Sequence, residues 1–466
     1  MPKLRRGCIK IRCGSIIFTA LLASGLALFP RLATADLPHP FGLTSRPPTP
    51  AYLRLPQNET GTLPPLLSQT AAFQDTRSLT PVASLIPYDL NVSFWSDSAT
   101  KLRWMALPHD PAATSAKIGF APTGEWTFPN GTVFVKHFEI ATDETHPELK
   151  RRLETRLLVR DATGGVYGVT YKWRPDNSDA DLLATNLTET LLIKTATGVR
   201  TQNWYYPSRE DCRTCHTDKA GYVLGVKTRQ LNRDFTYPNH VTDNQLRAWN
   251  HLSLFAPDLK EADLPTYARL ARSDDTTASL ETRARSYLDA NCAHCHRPGG
   301  TVAYFDARFD TPLAQQNLIQ GQVLINQGID QARIIAPNDP WRSIMFMRVN
   351  TVEAIKMPPL AHEKLDQESV SLLRQWIESL PGPPVLEPPA ISPRGGNYAR
   401  PVEVALNQSE PGASIHYTLD GSAPTKSDPV YDKPFKLTGP ATLRVKAFKP
   451  GFTKSITVQE TFIIGE

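Results

Sequence analysis

The 466-residue sequence has few cysteines and few long apolar runs, and each shortage excludes a class of protein. Beyond residue 35 it has four cysteines, and all four lie in two Cys-x-x-Cys-His pentapeptides, so none remains for a structural disulfide. After residue 29 no stretch approaches the roughly 18 apolar residues that predict a membrane-spanning helix. Residues 1–35 carry six basic and no acidic residues, so their removal changes the formal net charge from +5 to −1. That balance disfavours nucleic acid as a partner.

The first 35 residues have the pattern of a secretory signal peptide. Basic residues from Lys3 to Arg12 precede an apolar run over Ile16–Phe29, which ends near Ala33-Thr34-Ala35. Because this run is too short for a confident membrane span, we predict cleavage before Asp36, a periplasmic location and no transmembrane helix in the mature chain. A retained N-terminal anchor is the alternative.

The two pentapeptides are the strongest chemical signal in the sequence. Two thiols at this spacing reach the two vinyl groups of one porphyrin, and the adjacent imidazole ligates the iron from one face. We therefore predict two covalently bound haem c groups, with iron as the metal. The residues predicted to hold them are Cys212, Cys215, His216, Cys292, Cys295 and His296.

A zinc site and a redox-active disulfide are the alternatives for these motifs. Zinc ribbons bring their Cys-x-x-Cys pairs within about 15–20 residues of each other. Cys212 and Cys292, by contrast, are 80 positions apart. A thioredoxin-type motif needs a βαβ setting, which the sequence around the pentapeptides lacks. The spacing therefore favours haem at both.

Met357 is the candidate sixth ligand of the second iron. It lies 61 residues after His296, and the two prolines that follow it fix a loop that can present the thioether to the iron. Ligation by His and Met raises the reduction potential relative to a pair of histidines. Methionine more often fills a core, and we predict that role for Met345 and Met347.

The distal side of the first iron has no such candidate, because no methionine occurs between the first pentapeptide and residue 345. We predict His251, in a helical stretch, as the better metal ligand, and His240, in a loop, as the second choice. His137, Met105 and a five-coordinate iron are the other possibilities. An open iron would favour a catalyst or a sensor over an electron carrier.

Periodicity predicts a multidomain α+β fold. Strand-like patterns recur before the first pentapeptide, and an Arg156–Val159 strand pairs with Val166–Tyr171 across a glycine turn. Two helices bracket the second pentapeptide, one capped by Ser279 and the other by Asp366. The predicted segments are a signal peptide (1–35), an extended arm (36–79), an antiparallel β domain (80–203), a first haem region (204–275), a compact helical unit (276–381), a proline-rich linker (382–393) and an immunoglobulin-like β-sandwich (394–466).

Residues 276–381, with the second pentapeptide, Met357-Pro358-Pro359 and the two bracketing helices, resemble a class I cytochrome c domain. The wider span 80–381 resembles an uncharacterised family of bacterial dihaem c-type cytochromes. The segments that carry this resemblance, besides the first pentapeptide, are Pro87–Asn91, Trp95–Asp97, Trp204–Ser208 and Gly221–Gly225. The resemblance implies a mainly helical cytochrome c-type haem region, and it brings no assigned substrate.

The C-terminal segment is similar to the immunoglobulin-like domain that ends chitobiases and β-hexosaminidases. Residues His416–Pro424, within a series of short strands, carry this similarity. Because that domain is non-catalytic where it occurs, the resemblance implies no glycosidase activity here.

Together these features predict an electron-transfer protein that works between periplasmic redox proteins, and we assign no catalytic residue. One alternative is a dihaem peroxidase-like enzyme with one open haem, for which Glu210 and Asp211 are the nearby acid and base candidates. The other is a haem-linked binding protein whose β domains recognise a carbohydrate or a protein partner through aromatic residues such as Trp204 or Tyr417.

Overall fold

A computed structural model describes residues 39–112, 116–301 and 304–465, and the predicted signal peptide lies outside these ranges. Strands account for 29% of the residues and helices for 15%, so the protein is mainly β. Within the described part of the chain, no helix combines the length and apolarity that crossing a bilayer requires.

The predicted α+β class, with a mainly helical cytochrome c-type haem region, is therefore wrong. The α-helices are α1 Arg209–Cys215, α2 Thr228–Leu231, α3 Gln245–His251, α4 Leu280–Asn291, α5 Ile344–Val349 and α6 Gln367–Ser379. Among the helices of the described residues, only α4 and α6 exceed seven residues. Prolines, which lack the N–H that a helix interior needs, interrupt the chain between them at Pro298, Pro312, Pro337, Pro340, Pro358 and Pro359.

The two longer helices begin where their caps predicted. The Ser279 side chain accepts a hydrogen bond from the backbone N–H of Thr282, and the Asp366 side chain accepts one from that of Ser369. These helices pack on each other through Leu288, Leu373 and other buried side chains, so both bracketing helices are confirmed. Short 3-10 helices lie at Leu67–Thr70, Glu261–Thr266, Leu313–Gln315 and Pro340–Arg342.

An antiparallel six-stranded sheet forms the centre of the N-terminal half, in the order β3-β4-β6-β7-β8-β9. The strands up to residue 206 are β1 Phe73–Asp75, β2 Thr80–Pro81, β3 Ile86–Pro87, β4 Thr100–Ala106, β5 Ile118–Gly119, β6 Val133–Ala141, β7 Lys150–Arg160, β8 Val166–Trp173, β9 Ala180–Leu182, β10 Leu187–Thr195 and β11 Gly198–Tyr206. The predicted hairpin is present, since β7 pairs with β8 and Leu158 lies opposite Gly168.

The two faces of this sheet have different neighbours, because side chains alternate along a strand. One face, with Val135 and Leu157, packs against apolar residues of the chain between Leu53 and Leu85. The opposite face carries Phe134, Lys136, Arg156, Leu158 and Gly168, and turns toward the two pentapeptides. The sheet is therefore a wall that separates an apolar core from the candidate site.

The hairpin of β10 and β11 leads from the sheet into the first pentapeptide. Its side chains Leu191, Ile193 and Trp204 pack on Phe138 of β6. Directly after β11, the carbonyl of Pro207 accepts a hydrogen bond from the Thr170 hydroxyl at 3.0 Å, so the chain enters α1 beside β8. Three short strands follow, β12 Asp234–Thr236, β13 Thr242–Asn244 and β14 Phe255–Ala256, and β14 pairs with β5 in parallel.

The C-terminal module has two sheets, an antiparallel one with three strands in the order β15-β17-β19 and a mixed one with four in the order β16-β21-β20-β18, in which β16 and β21 are parallel. The strands are β15 Ala390–Ser392, β16 Gly396–Tyr398, β17 Val402–Asn407, β18 Ser414–Thr418, β19 Phe435–Leu437, β20 Ala441–Phe448 and β21 Val458–Ile464. Val404, Leu443, Val445 and Phe462 form the core between them. Part of the segment predicted as a linker, β15, is paired with β17.

Candidate functional site

Both pentapeptides and the predicted thioether ligand open onto one cavity. The cavity encloses about 1550 Å³ that is free of protein atoms, part of it open to solvent. Every predicted attachment and ligand residue of the two motifs lies on its wall, namely Cys212, Cys215, His216, Cys292, Cys295, His296 and Met357.

Helix α1 carries the first thiol pair against the sheet. A reciprocal capping box starts it, because the Ser208 hydroxyl accepts from the Asp211 N–H at 3.2 Å and the Asp211 carboxylate accepts from the Ser208 N–H at 2.8 Å. The helix then approaches β8 at Gly168, where an added Cβ would lie 2.6 Å from the Cys212 sulfur. Only glycine at this position leaves room for the thiol.

His216 is oriented as a metal ligand. Its Nδ1 lies 2.6 Å from the carbonyl oxygen of Tyr222, and because a carbonyl only accepts, Nδ1 must carry the proton. The other ring nitrogen, Nε2, is thereby left with the free lone pair that coordinates a metal. Burial lowers the pKa of His216 to about 4, so the ring is neutral at physiological pH.

The second pentapeptide continues from α4. Its histidine, His296, stacks on Phe305 with ring centroids 4.4 Å apart, and burial lowers the pKa of His296 to about 4. A tight turn follows, in which an added Cβ at Gly300 would lie 2.2 Å from the carbonyl oxygen of Cys295. Both features fix the imidazole and the neighbouring thiol in one orientation.

The loop that carries Met357 is anchored to the N-terminal domain. The Asp97 carboxylate accepts hydrogen bonds from the backbone N–H groups of Glu363 and Lys364, at 2.7 and 2.9 Å. The indole of Trp95 donates to the carbonyl of Lys364 at 2.9 Å. The backbone N–H of Met357 itself donates to the carbonyl of Arg348 at 2.8 Å. The loop is therefore held by Trp95 and Asp97, which shortly precede β4.

These donors fit covalent haem. They comprise two thiol pairs at the required spacing, a neutral imidazole beside each pair and one thioether, all on the walls of a single cavity. The Nδ1 atoms of His294 and His296 are buried, and neither has a hydrogen-bond partner among the described residues. Each of these two rings therefore presents at least one unpaired nitrogen.

The candidates for the distal side of the first iron do not reach this cavity. The His251 ring is exposed and stacks on Phe41 at 3.6 Å, and His240 is also exposed. His137 contacts the Thr155 hydroxyl at 2.8 Å on the other face of the sheet, and Met105 is buried in an apolar core. The structure therefore does not bring His251, or any of the other three, to the first pentapeptide.

Two side chains that the sequence prediction missed do line the cavity, His294 and Lys136. His294 lies between the two cysteines of the second pentapeptide. A histidine at that position is the sequence feature that indicates a further imidazole at the cavity. Lys136 follows three apolar residues at the start of β6, which is the corresponding signal for a charge on a largely buried strand.

The structure also brings the two pentapeptides together in space. Ligand atoms of Cys215, His294 and Cys295 all lie within 4.8 Å of one another, an arrangement that can hold a metal ion. The separation of 80 positions along the chain, which weighed against zinc, therefore does not keep the motifs apart.

A buried ion network joins the segments around the two motifs. Asp289, in the helix before the second motif, is 2.9 Å from Arg229 and 3.1 Å from Lys227, which both follow the first motif. Arg297, next to His296, pairs with Glu125 at 2.7 Å. These contacts fix the two motifs relative to each other.

Comparison with known proteins identifies only the last module. Residues 393–460 match the family model described as chitobiase/beta-hexosaminidase C-terminal domain, which confirms the predicted immunoglobulin-like domain. No cytochrome c family is detected in the chain. No curated protein and no solved structure matches it. The resemblance of residues 80–381 to dihaem cytochromes therefore has no support from these comparisons.

Proposed function

We propose that this chain is a c-type electron-transfer protein with two covalently attached haems in the shared cavity. The observation that carries the proposal is the convergence of both Cys-x-x-Cys-His motifs and Met357 on that one cavity. Motifs that served separate structural roles would have no reason to line a common cavity.

The chain's own residues have distinct roles in this proposal. Each cysteine would hold the porphyrin by adding its S–H across a vinyl group, with sulfur bonded to one carbon, hydrogen to the other and no atom lost. His216 and His296 would each supply an imidazole ligand, and Met357 would supply a thioether ligand to the second iron. When bound, haem supplies a one-electron redox centre whose potential the protein tunes through ligands and burial.

The closeness of the two motifs favours electron transfer between the two haem centres over two centres that act independently. Because Cys215 and Cys295 place ligand atoms within 4.8 Å of each other, the two attachment edges adjoin. Electrons entering at one centre would then have a short path to the other. Periplasmic redox proteins are the proposed partners, and the proposed signal peptide over 1–35 would deliver the chain to that compartment.

Mass spectrometry of the denatured, purified mature polypeptide tests this proposal. We expect a mass increase of two porphyrins for the wild type and of one for the double variant Cys212→Ser/Cys215→Ser. Absence of covalent porphyrin from the wild type would refute the proposal. Retention of both groups by the double variant would refute the first attachment site alone.

A transition-metal site is the second candidate, because the Cys215, His294 and Cys295 cluster favours it. Soft thiolate and imidazole ligands suit zinc. Metal analysis separates the two candidates, since a zinc site predicts stoichiometric zinc and no bound porphyrin.

The dihaem peroxidase-like alternative predicts one high-spin iron by EPR with peroxide turnover, whereas the electron carrier predicts two low-spin irons.

A further inference from the structure

A row of three cations crosses the sheet wall at the cavity. In the register of the sheet, Lys136 of β6 lies opposite Arg103 of β4 on one side and Arg156 of β7 on the other. Like charges directly opposite each other destabilise a sheet unless each has a counter-ion. Each of the three cations therefore needs a counter-ion.

The two arginines have their own carboxylates. Arg103 pairs with Asp89 at 2.6 Å, and Arg156 makes a two-pronged contact with Glu154 at 2.6 and 2.9 Å. Glu154 is fully buried, and it raises the pKa of Arg156 although burial alone would lower it. Both guanidinium groups are thus compensated from within the protein.

Lys136 has no such partner. Within the described ranges, no carboxylate lies at ion-pair distance from its Nζ, and its close contacts are the rings of Phe138 and Phe94, at 5.0 and 5.3 Å. Cation–π contacts replace only part of the hydration that an ammonium loses on burial. Burial, together with the neighbouring Arg103, lowers the pKa of Lys136 well below its ordinary value.

The unpaired ammonium faces the cavity that holds the two pentapeptides. The carboxylate on that wall, Asp211, already accepts hydrogen bonds from Tyr205 and Ser208, at 2.7 and 2.8 Å. An anionic group on an occupant of the cavity would therefore be the counter-ion that the described residues do not supply to Lys136. Haem carries two carboxylate side chains, which match an ammonium backed by a guanidinium.

We propose that Lys136, supported by Arg156, binds a carboxylate of one of the two haems and so makes the six-stranded sheet part of the cofactor site. This inference rests on the proposed function and adds a positioning role for a domain outside the two motifs. The carboxylate supplies the third counter-ion of the cation row.

The test compares Lys136→Met with Lys136→Arg in the mature, haem-loaded chain. Lys150→Met is the matched control, because it removes the same charge from an exposed position on β7. Three quantities are measured, namely covalent haem by mass, the midpoint potential of each haem by optical redox titration, and the porphyrin carboxylate bands by resonance Raman spectroscopy.

We expect all variants to carry two haems. Lys136→Met should lower one midpoint potential and shift its carboxylate band, because a nearby cation favours the reduced and less positive iron. Lys136→Arg should restore both values, and Lys150→Met should match the wild type. If Lys136→Met does not accumulate, Lys136→Gln gives the same comparison.

Two outcomes separate the inference from the proposed function. If the wild type and Lys136→Met both carry two haems and their potentials and carboxylate bands coincide, the inference is wrong and the function stands. If the wild type carries no covalent porphyrin, the function itself fails.

Discussion

Met357 is held at the cavity by its backbone rather than by its side chain. Its N–H donates to the carbonyl of Arg348 at 2.8 Å, and the thioether is free to face inward. A substitution that shortens the side chain should therefore remove one ligand and leave the loop in place.

For Met357→Ala we expect both haems to remain attached while one midpoint potential falls, because the thioether ligand raises the potential. The same iron should bind carbon monoxide or imidazole readily. Optical redox titration with ligand addition measures both effects. Met347→Ala is the control, since Met347 packs beside Ile344 away from the cavity, and an unaltered spectrum of Met357→Ala would contradict the assignment.

The sequence predicts the thiols, the adjacent histidines and Met357 as haem residues, and the structure places all of them on one cavity. The sequence was insufficient for the distal side of the first motif. The helical stretch around His251 predicts a metal ligand there, but its ring stacks on Phe41 instead. His294 and Lys136 reach the cavity only through the packing of distant segments, which no local pattern contains.

Among the elements, the loop from Met357 to Lys364 is held in part by the buried carboxyl of Asp97. Asp97 is nearly inaccessible, and burial raises the pKa of its carboxyl to about 6, although two backbone N–H groups favour its charged form. Since the folded protein then binds this proton more tightly than the unfolded chain, stability from Asp97 is fully present below its ordinary pKa and is lost as pH rises through about 6.

Comparison with Asp97→Asn isolates this effect. We expect the free energy of unfolding of the wild type, relative to the variant, to fall by about 3 kcal/mol between pH 4 and pH 7, as two pKa units imply. Denaturant titrations at each pH give the difference. Parallel pH profiles for the two proteins would show that Asp97 keeps its ordinary pKa.

Among the elements, the sequence predicted those that a local pattern of residues defines. The caps of α4 and α6 and the β7–β8 hairpin are present, because local hydrogen bonds and alternating side chains define them. The predicted mainly helical haem region is wrong, because the chain between α4 and α6 forms only two 3-10 helices and the six-residue α5. Between those helices the chain turns repeatedly, and its position is set by long-range contacts such as the one between Arg229 and Asp289.

At the scale of the whole molecule, the C-terminal module is packed against the region of the second motif. Arg342, nearly inaccessible, pairs with Asp339 at 2.9 Å and Asp330 at 3.1 Å, and donates to the carbonyl of Ser455 at 3.3 Å. Ile456 packs beside Ile344 at the same place. A buried arginine therefore joins two segments that the sequence prediction treated as separated by a linker.

Arg342→Ala should lower the free energy of unfolding by about 3–5 kcal/mol, because it leaves buried carboxylate charge without its partner. Arg374→Ala is the control; this arginine forms partly exposed pairs with Glu378 and Glu387, and its loss should cost less than about 1 kcal/mol. Chemical denaturation measures both. Equal small losses would show that the module is only loosely joined.

The origin of the cavity wall has a consequence for biogenesis. Strands β6 to β8 are translated before either pentapeptide, and the loop with Met357 follows both. A chain emerging in this order presents the sheet surface first, the two pentapeptides next and the Met357 loop last. Under the proposed function, haem attachment would therefore precede the placement of the Met357 loop as the chain emerges.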